Sequence, residues 1–347
     1  MKKNIYGIEL KKLEEEMLAL GQKKFRATQL FTWLYEKKAT SFDEMSDISL
    51  KFREVLNELY YIELPKVVVR QDAMDGTIKL LVEVDNGAKV ECVLMRYEYG
   101  NAICVTSQVG CNMGCAFCAS GLLKKNRNLE THEIVGQVLL MNKLLEEENE
   151  KVTHIVVMGT GEPFDNYENV LDFVRIMNHP KGLEIGARHI TVSTCGIVPK
   201  IKEYAHEGLQ VNLAISLHAP NNELRNKIMK INHAYPLEEL MEAIKYYESV
   251  TSRRVTFEYI MLKELNDNIK EAKELAHLVR GINAYVNLIP YNEVSEMPFR
   301  RSNRERVRAF MDYLKQNGVN VTVRKEFGTD IDAACGQLRA KKEGIIK

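Results

Sequence analysis

The stretch SQVGCNMGCAFCASG, residues 107–121, places Cys111, Cys115 and Cys118 within eight residues of one another. Three thiols at the spacing C-x3-C-x2-C are more than core packing needs. They are one fewer than a closed structural zinc site uses. The loop therefore predicts a metal centre that keeps one coordination position free of protein.

A [4Fe–4S] cluster held by three cysteines has such a position, because its fourth iron lacks a protein ligand. That iron can chelate the amino and carboxylate groups of S-adenosylmethionine (SAM), and an electron from the cluster then cleaves the sulfonium to give a 5′-deoxyadenosyl radical. Gly110, Gly114 and Gly121 give the loop room to wrap a cluster. A zinc site or a loop of buried thiols is the alternative. It is disfavoured because no second ligand pair follows, and the nearest histidine, His132, lies in a predicted helix.

Composition sets limits on the partners of the chain. Its 347 residues carry 48 basic and 48 acidic side chains, so a nucleic acid would have to be held by local basic patches. We found neither a signal peptide nor an apolar run of membrane length, and we expect a cytoplasmic protein without a membrane partner. Seven cysteines, an odd number, then indicate metal binding or catalysis rather than a disulfide framework.

Hydrophobic periodicity predicts an α/β chain. Residues 8–60 have helical spacing, and two β-rich runs joined by DNGA predict a hairpin. From about residue 100, short apolar strands alternate with amphipathic helices, which predicts parallel βαβ units closing into a partial (βα)6 barrel. The expected domains are a helical N-terminal accessory domain (1–65), a β-hairpin or linker extension (66–100) and the core barrel (101–347). The predicted strands are residues 77–84, 89–97, 102–108, 154–159, 189–194, 211–217, 255–262, 285–290 and 319–325.

Active-site residues of parallel α/β folds gather at the carboxyl ends of the strands. The strand ends here are rich in polar groups and cysteines, which predicts one site at one mouth of the barrel. These ends are Cys104 with the cysteine loop, GTGEP (159–163), STCG (193–196), SLH (216–218) and PYN (290–292).

The cysteine spacing, with Phe117 before the last cysteine, resembles the signature of the radical-SAM superfamily. Further blocks resemble the RlmN/Cfr family of rRNA adenosine methyltransferases over nearly the whole chain, and the helical front resembles the accessory domain of that family. The blocks are MGTGEPFDNYENV, RHITVSTCGIVPKI, LAISLHAP, VNLIPYN and DIDAACGQLRAK. The dinucleotide-binding alternative for GTGEPFDN is weak, since Phe164 stands where a third glycine is needed.

The resemblance implies an enzyme that methylates C2 of the adenosine at position 2503 of 23S rRNA, and of adenosine 37 in tRNA. The C2 carbon has no lone pair to attack a sulfonium methyl group, so a radical must make the bond. The family uses a [4Fe–4S] cluster, two SAM molecules per turnover, and an electron donor expected to be a flavodoxin or ferredoxin.

Site residues follow from the resemblance residue by residue. Cys335 would carry a methyl group taken from SAM, Cys104 would release the RNA adduct by forming a transient disulfide with Cys335, and Glu91 would take the C2 proton. Cys111, Cys115 and Cys118 would hold the cluster. The positions matching SAM contacts are Gly161, Glu162, Ser193, Ser216, Leu217, His218 and Asn292.

Each of the three catalytic assignments has a structural alternative. Cys335 could be a small buried thiol, and Cys104 an inward-facing strand residue. Strand alternation places Glu91 on the face opposite Val90 and Cys92, which allows a solvent-facing residue.

Small departures from the family pattern bear on regiochemistry. Thr160 stands where methionine is usual and Cys195 where serine is usual, and neither is a proposed ligand. Pro163 resembles RlmN, whereas C8-modifying Cfr enzymes tend to carry alanine there, so C2 methylation is favoured. The alternatives are a Cfr-type C8 methyltransferase and a non-catalytic, zinc-stabilised RNA-binding protein.

Basic runs are the candidate RNA surface. The run FRRSNRERVR (299–308) holds five arginines, and Phe299 could stack on a base. The helical front, with Lys23, Lys24 and Arg26 at a helix start, is a candidate docking element. The alternative is that such runs are solvated helix faces with ion-paired neighbours. The other runs are residues 22–26, 122–127, 252–254 and 338–342.

Overall fold

The computed structural model describes residues 2–294, 296–332, 334 and 336–345. Its strands are β1 (Lys3–Asn4), β2 (Tyr60–Tyr61), β3 (Lys66–Asp72), β4 (Ile78–Glu83), β5 (Lys89–Tyr97), β6 (Gly100–Cys104), β7 (Gln108–Val109), β8 (Arg127–Asn128), β9 (Val152–Val157), β10 (Ile190–Thr194), β11 (Asn212–Ser216), β12 (Val255–Met261), β13 (Ala284–Pro290) and β14 (Asn320–Val323). Its α-helices are α1 (Leu10–Ala19), α2 (Phe25–Phe31), α3 (Leu50–Leu59), α4 (Thr131–Leu145), α5 (Tyr167–Asn178), α6 (Val198–Tyr204), α7 (Asn222–Ile228), α8 (Leu237–Thr251), α9 (Ile269–Leu278), α10 (Arg304–Gln316) and α11 (Gln337–Lys342).

A ten-stranded sheet forms the centre of the fold, in the order β14-β13-β12-β11-β10-β9-β6-β5-β4-β3. All neighbours from β6 to β14 pair in parallel. A helical crossover joins each strand to the next, which makes six βα units with β14 as the last strand. The predicted partial (βα)6 barrel is therefore confirmed.

The apolar strands explain this arrangement. Leu213, Ala214 and Ile215 of β11 have no solvent exposure, as expected for a parallel strand covered on both faces. The crossover helices bury one apolar stripe each, for example Phe310 and Leu314 of α10, and leave their charged faces to solvent.

The main sheet has one more strand at its antiparallel edge than the sequence predicted. Strands β4 and β5 form the expected antiparallel hairpin, but β3 adds a further antiparallel strand that the sequence analysis did not identify. Strand β5 pairs antiparallel with β6. Residues 66–97 thus form a three-stranded extension of the main sheet, which we call the antiparallel extension.

The helical front packs on the barrel through close contacts with α4. A Cβ atom at Gly7 would lie 2.7 Å from the His132 backbone nitrogen, and one at Gly136 would lie 2.4 Å from a ring carbon of Pro65. Only glycine allows these approaches. The predicted domain boundaries stay predictions. No helix among the described residues is long and apolar enough to cross a membrane.

Candidate active site

A cavity of about 600 Å³ lies at the carboxyl ends of the parallel strands. It brings together ten of the residues predicted from the sequence. They are Cys104, Cys111, Cys115, Cys118, Gly161, Glu162, Ser193, Ser216, His218 and Asn292. Leu217 is fully buried beside the cavity without lining it, and Cys335 lies outside the described residues.

The cysteine loop follows β6 and is held by backbone bonds on both sides. The Cys111 N–H donates to the Leu123 carbonyl at 2.9 Å, and the Ala116 N–H donates to the Ile228 carbonyl at 2.9 Å. Gly110 has a φ of 83°, and a Cβ atom there would lie 2.2 Å from the Lys124 carbonyl oxygen. The loop therefore needs glycine at this turn.

The three thiols suit a cluster better than a single zinc ion. At least two of their three sulfur atoms lie more than 4.8 Å apart. Ligands around one zinc ion would place sulfurs about 3.8 Å apart. Burial raises the pKa of Cys111 to about 11, and burial together with the neighbouring thiols raises that of Cys115 further. The positive charge of bound iron would stabilise the thiolate forms of these cysteines.

The turn after β9 forms the edge of the cavity next to the cysteine loop. Gly161 has a φ of 114°, and the Glu162 N–H donates to the Gln108 side-chain oxygen at 2.9 Å. The Glu162 carboxylate accepts from the N–H groups of Phe164 at 3.0 Å and Cys195 at 2.7 Å. Burial raises the pKa of Glu162. Its carboxylate thus ties the ends of β9 and β10 together.

His218 sits after β11 in a left-handed conformation, with a φ of 60°. Its Nδ1 accepts from the Ile260 N–H at 3.1 Å, which leaves the ring proton on Nε2. Its ring and that of Phe117 in the cysteine loop form a T-shaped pair with centroids 4.9 Å apart. Burial, followed by the charge of Arg225, lowers the pKa of His218 to about 3, so the ring is a neutral hydrogen-bond donor.

Arg225 is a fully buried side chain that the sequence analysis missed. Its guanidinium donates to the carbonyls of Cys195 at 2.7 Å, Ser216 at 3.3 Å and Leu217 at 3.1 Å. Burial lowers its pKa to about 10, and the charge stays. Arg225 therefore fixes the ends of β10 and β11 beneath the cavity. Its sequence context, one arginine in a short amphipathic helix, carried no signal of this role.

Glu258 of β12 is a second residue that was missed. It lines the cavity, and Asn287 donates to its carboxylate at 2.9 Å. Burial raises the pKa of Glu258, and the charge of Arg324 offsets only part of this rise. In the sequence, only its position within an otherwise largely apolar strand could have indicated a role for Glu258.

Glu91 is buried, with 4% of its surface exposed, so the solvent-facing alternative is wrong. Its carboxylate does not line the cavity among the described residues. It pairs with Lys79 at 2.8 Å and accepts from the N–H groups of Gly336 and Arg339. Its role as a base stays a prediction. The same holds for the disulfide, because Cys335 lies outside the described residues.

Three of the five arginines in the run 299–308 have acidic partners, and the role of the run in RNA binding stays a prediction. Arg301 pairs with Glu326, Arg306 with Asp267 and Arg308 with Asp312. Phe299 packs against the buried cluster that contains Tyr291. For these residues the ion-paired alternative is the better description.

Comparison with known proteins identifies the family. The family model described as the Radical SAM superfamily matches residues 105–278, and that of the ribosomal RNA large subunit methyltransferase N-terminal domain matches residues 3–62. A "Probable dual-specificity RNA methyltransferase RlmN" of Spiroplasma citri is 57% identical, with 99% of each chain covered. The protein of that name from Streptococcus thermophilus (strain CNRZ 1066) is also 57% identical, with 98% of this chain and 88% of the relative covered.

The chain belongs to the RlmN family of radical-SAM RNA methyltransferases. A solved radical-SAM methyltransferase from Sphaerobacter thermophilus is similar in fold, with a TM-score of 0.90 and 42% identity over 96% of this chain and 98% of that one. The predictions of a radical-SAM RNA methyltransferase, with a [4Fe–4S] cluster and SAM as its cofactors, are therefore confirmed.

We expect Cys111→Ala, Cys115→Ala or Cys118→Ala to abolish the brown chromophore and all SAM cleavage, since each thiolate would hold one iron. Anaerobic purification, iron analysis and detection of 5′-deoxyadenosine check this. Cys195→Ser, a change at another cavity cysteine, should keep wild-type iron. A cluster-loaded variant with normal SAM cleavage would contradict the assignment.

We expect His218→Asn to make stability less sensitive to acid. An unfolded histidine titrates near about pH 6.5, whereas folded His218 has a pKa of about 3. As pH falls below about 6.5, the unfolded state alone gains a proton, so wild-type stability falls by up to about 1.4 kcal/mol per pH unit. Asparagine tolerates positive φ and can accept the Ile260 N–H. Urea unfolding of the SAM-free proteins measures this. Equal slopes for both proteins between neutral pH and about pH 5 would contradict it.

Proposed function

We propose that this enzyme methylates C2 of an adenosine in 23S rRNA and also of an adenosine in tRNA, in the cytoplasm. One observation carries the proposal. Cys104, at the end of β6, lines the same cavity as the three cluster cysteines. Ala334 and Gln337, which flank Cys335 in the sequence, line it too. These neighbours of Cys335 in the sequence support a mechanism in which Cys104 and Cys335 act at one site.

In this mechanism Cys335 takes a methyl group from one SAM, whose sulfonium leaves as the neutral thioether S-adenosylhomocysteine. When bound, the cluster would supply the electron that activates a second SAM, so that a hydrogen atom passes from this methyl group to the adenosyl radical, and it would take one electron back once the carbon has bonded to C2. We assign Glu91 to take the C2 proton at that point, which restores the aromatic ring. The Cys104 thiolate then attacks the Cys335 sulfur. The disulfide forms as the carbon–sulfur bond breaks, and the electron pair that stays on the product carbon takes a proton.

The residues around the cavity suit the binding of SAM. Neutral His218 offers its Nε2–H, and the turn at Gly161 and Glu162 offers backbone groups beside the cysteine loop. Ser193, Ser216 and Asn292 line the remaining strand ends with hydrogen-bonding groups. We assign these residues to SAM, and we expect two SAM molecules per turnover and a flavodoxin or ferredoxin as the electron donor.

The names of the relatives and the shape of the site support RNA substrates for this enzyme. The similar proteins from Spiroplasma and Streptococcus are named dual-specificity RNA methyltransferases. An adenine must leave its stack to enter a cavity at the barrel mouth. We assign RNA docking to the helical front. There Lys37 lies 3.7 Å from the centre of the Trp33 ring, and Arg26 lies over Phe25.

Regiochemistry is tested directly by nucleoside analysis. The enzyme should convert adenosine to 2-methyladenosine in unmodified 23S rRNA and tRNA transcripts, because its turn carries Pro163 after Glu162. Mass mapping against both methyladenosine standards identifies the product. A product methylated at C8 would favour the Cfr-type alternative, and a protein with zinc but no iron would favour the non-catalytic one.

Changing Cys104 separates methyl transfer from product release. Cys104→Ala should still be methylated at Cys335 and still bond to RNA, but it should stall as a covalent RNA adduct because no thiol remains to form the releasing disulfide. RNA content after denaturing purification measures this. The Cys104→Ala/Cys335→Ala variant should carry no adduct, and Cys195→Ser should release its product. A Cys104→Ala protein free of covalent RNA would contradict the resolving role.

A further inference from the structure

The carboxyl-terminal segment lies across the antiparallel extension. We call its described residues, 328–332, 334 and 336–341, the strap. The Gly328 N–H donates to Asp75 at 2.9 Å, and Asp330 accepts from the Met74 N–H at 3.0 Å. Asp332 exchanges two hydrogen bonds with Gln71, at 3.2 and 3.3 Å. The first half of the strap therefore follows β3 and the β3–β4 turn.

Beneath the strap lies a buried ion pair. Lys79 of β4 has no solvent exposure, Glu91 of β5 has 4%, and their charged atoms are 2.8 Å apart. The Lys79 ammonium also donates to the carbonyls of Asp332 at 2.5 Å and Ala334 at 2.7 Å. All three of its N–H groups are thus used.

The carboxylate completes the arrangement on the other side of position 335. Glu91 accepts from the Gly336 N–H at 2.8 Å and from the Arg339 N–H at 2.5 Å. Carbonyls before position 335 therefore meet the ammonium, and amides after it meet the carboxylate. The ion pair therefore favours the register in which these carbonyls face the ammonium and these amides face the carboxylate.

We propose that Lys79 and Glu91 are positioning residues that dock the strap in one register and so set the rate at which Cys335 accepts a methyl group. The inference rests on the proposed role of Cys335 as methyl carrier. It differs from a role of Glu91 as base at C2, because methylation of Cys335 involves no adenine. Both partners are needed, since removing one leaves the other as an uncompensated buried charge.

Hydrogen exchange tests the docking without any turnover. In Lys79→Met and in Glu91→Gln, amides in peptides spanning residues 328–345 should exchange at least about tenfold faster, because charge-assisted bonds to the strap are lost. Peptides of the barrel should keep wild-type rates. Lys66→Met makes the same lysine change at an exposed position of β3 and should exchange like the wild type.

Transfer of labelled methyl from SAM to Cys335 tests the consequence. Both variants should keep wild-type iron and still cleave SAM, but methylate Cys335 at least about tenfold more slowly. Wild-type exchange and methylation in both variants would overturn the inference. So would faster exchange throughout the chain with loss of iron, which would mark a general folding role. A wild-type enzyme that never methylates Cys335 would instead overturn the proposed carrier role, and the exchange result would still decide whether the pair docks the strap.

Discussion

Three thiolates on one short loop can hold only three corners of a four-iron cluster. The ends of the parallel strands line the same cavity as that loop. The loop backbone is held by hydrogen bonds to the carbonyls of residues 123 and 228. Beside it, Glu162 ties the ends of β9 and β10 together. Arg225 holds the ends of β10 and β11 from below. These contacts fix the strand ends that line the cavity beside the cysteine loop.

Buried charge recurs in this structure, and each buried charge described above has specific polar partners. Arg225 donates to three strand-end carbonyls and to Asn232, and Lys79 uses all three of its N–H groups. A buried ion that lacked such partners would destabilise the fold by several kcal/mol. These partners often come from parts of the chain that are distant in sequence. Lys79 of β4 and Glu91 of β5, for example, bind the carboxyl-terminal strap. The antiparallel extension thus binds strap residues on both sides of Cys335 in the sequence.

Much of the barrel could be predicted because its strands are continuous apolar runs between amphipathic helices; β5 begins and ends at the predicted residues, 89 and 97. Strand β3 was missed because residues 66–72 follow a proline and are mostly exposed on an edge strand, so no alternation of buried side chains marks them. Lys79, Arg225 and Glu258 were missed for another reason. Sequence periodicity predicts that a charged residue is exposed, whereas in these three cases the tertiary fold buries it. The ion pairs of Arg301 and Arg306 could not be predicted for the same reason, since their acidic partners at 326 and 267 are distant in sequence.

The central claim is that three protein thiolates leave one iron for SAM. Electron–nuclear double resonance of the reduced, SAM-bound enzyme tests it most directly, with isotopic label in the amino nitrogen or the carboxylate oxygen of SAM. We predict hyperfine coupling from both labels to the cluster, together with about four iron atoms per chain. An enzyme that binds SAM without either coupling, or a cluster with a fourth protein ligand, would contradict it.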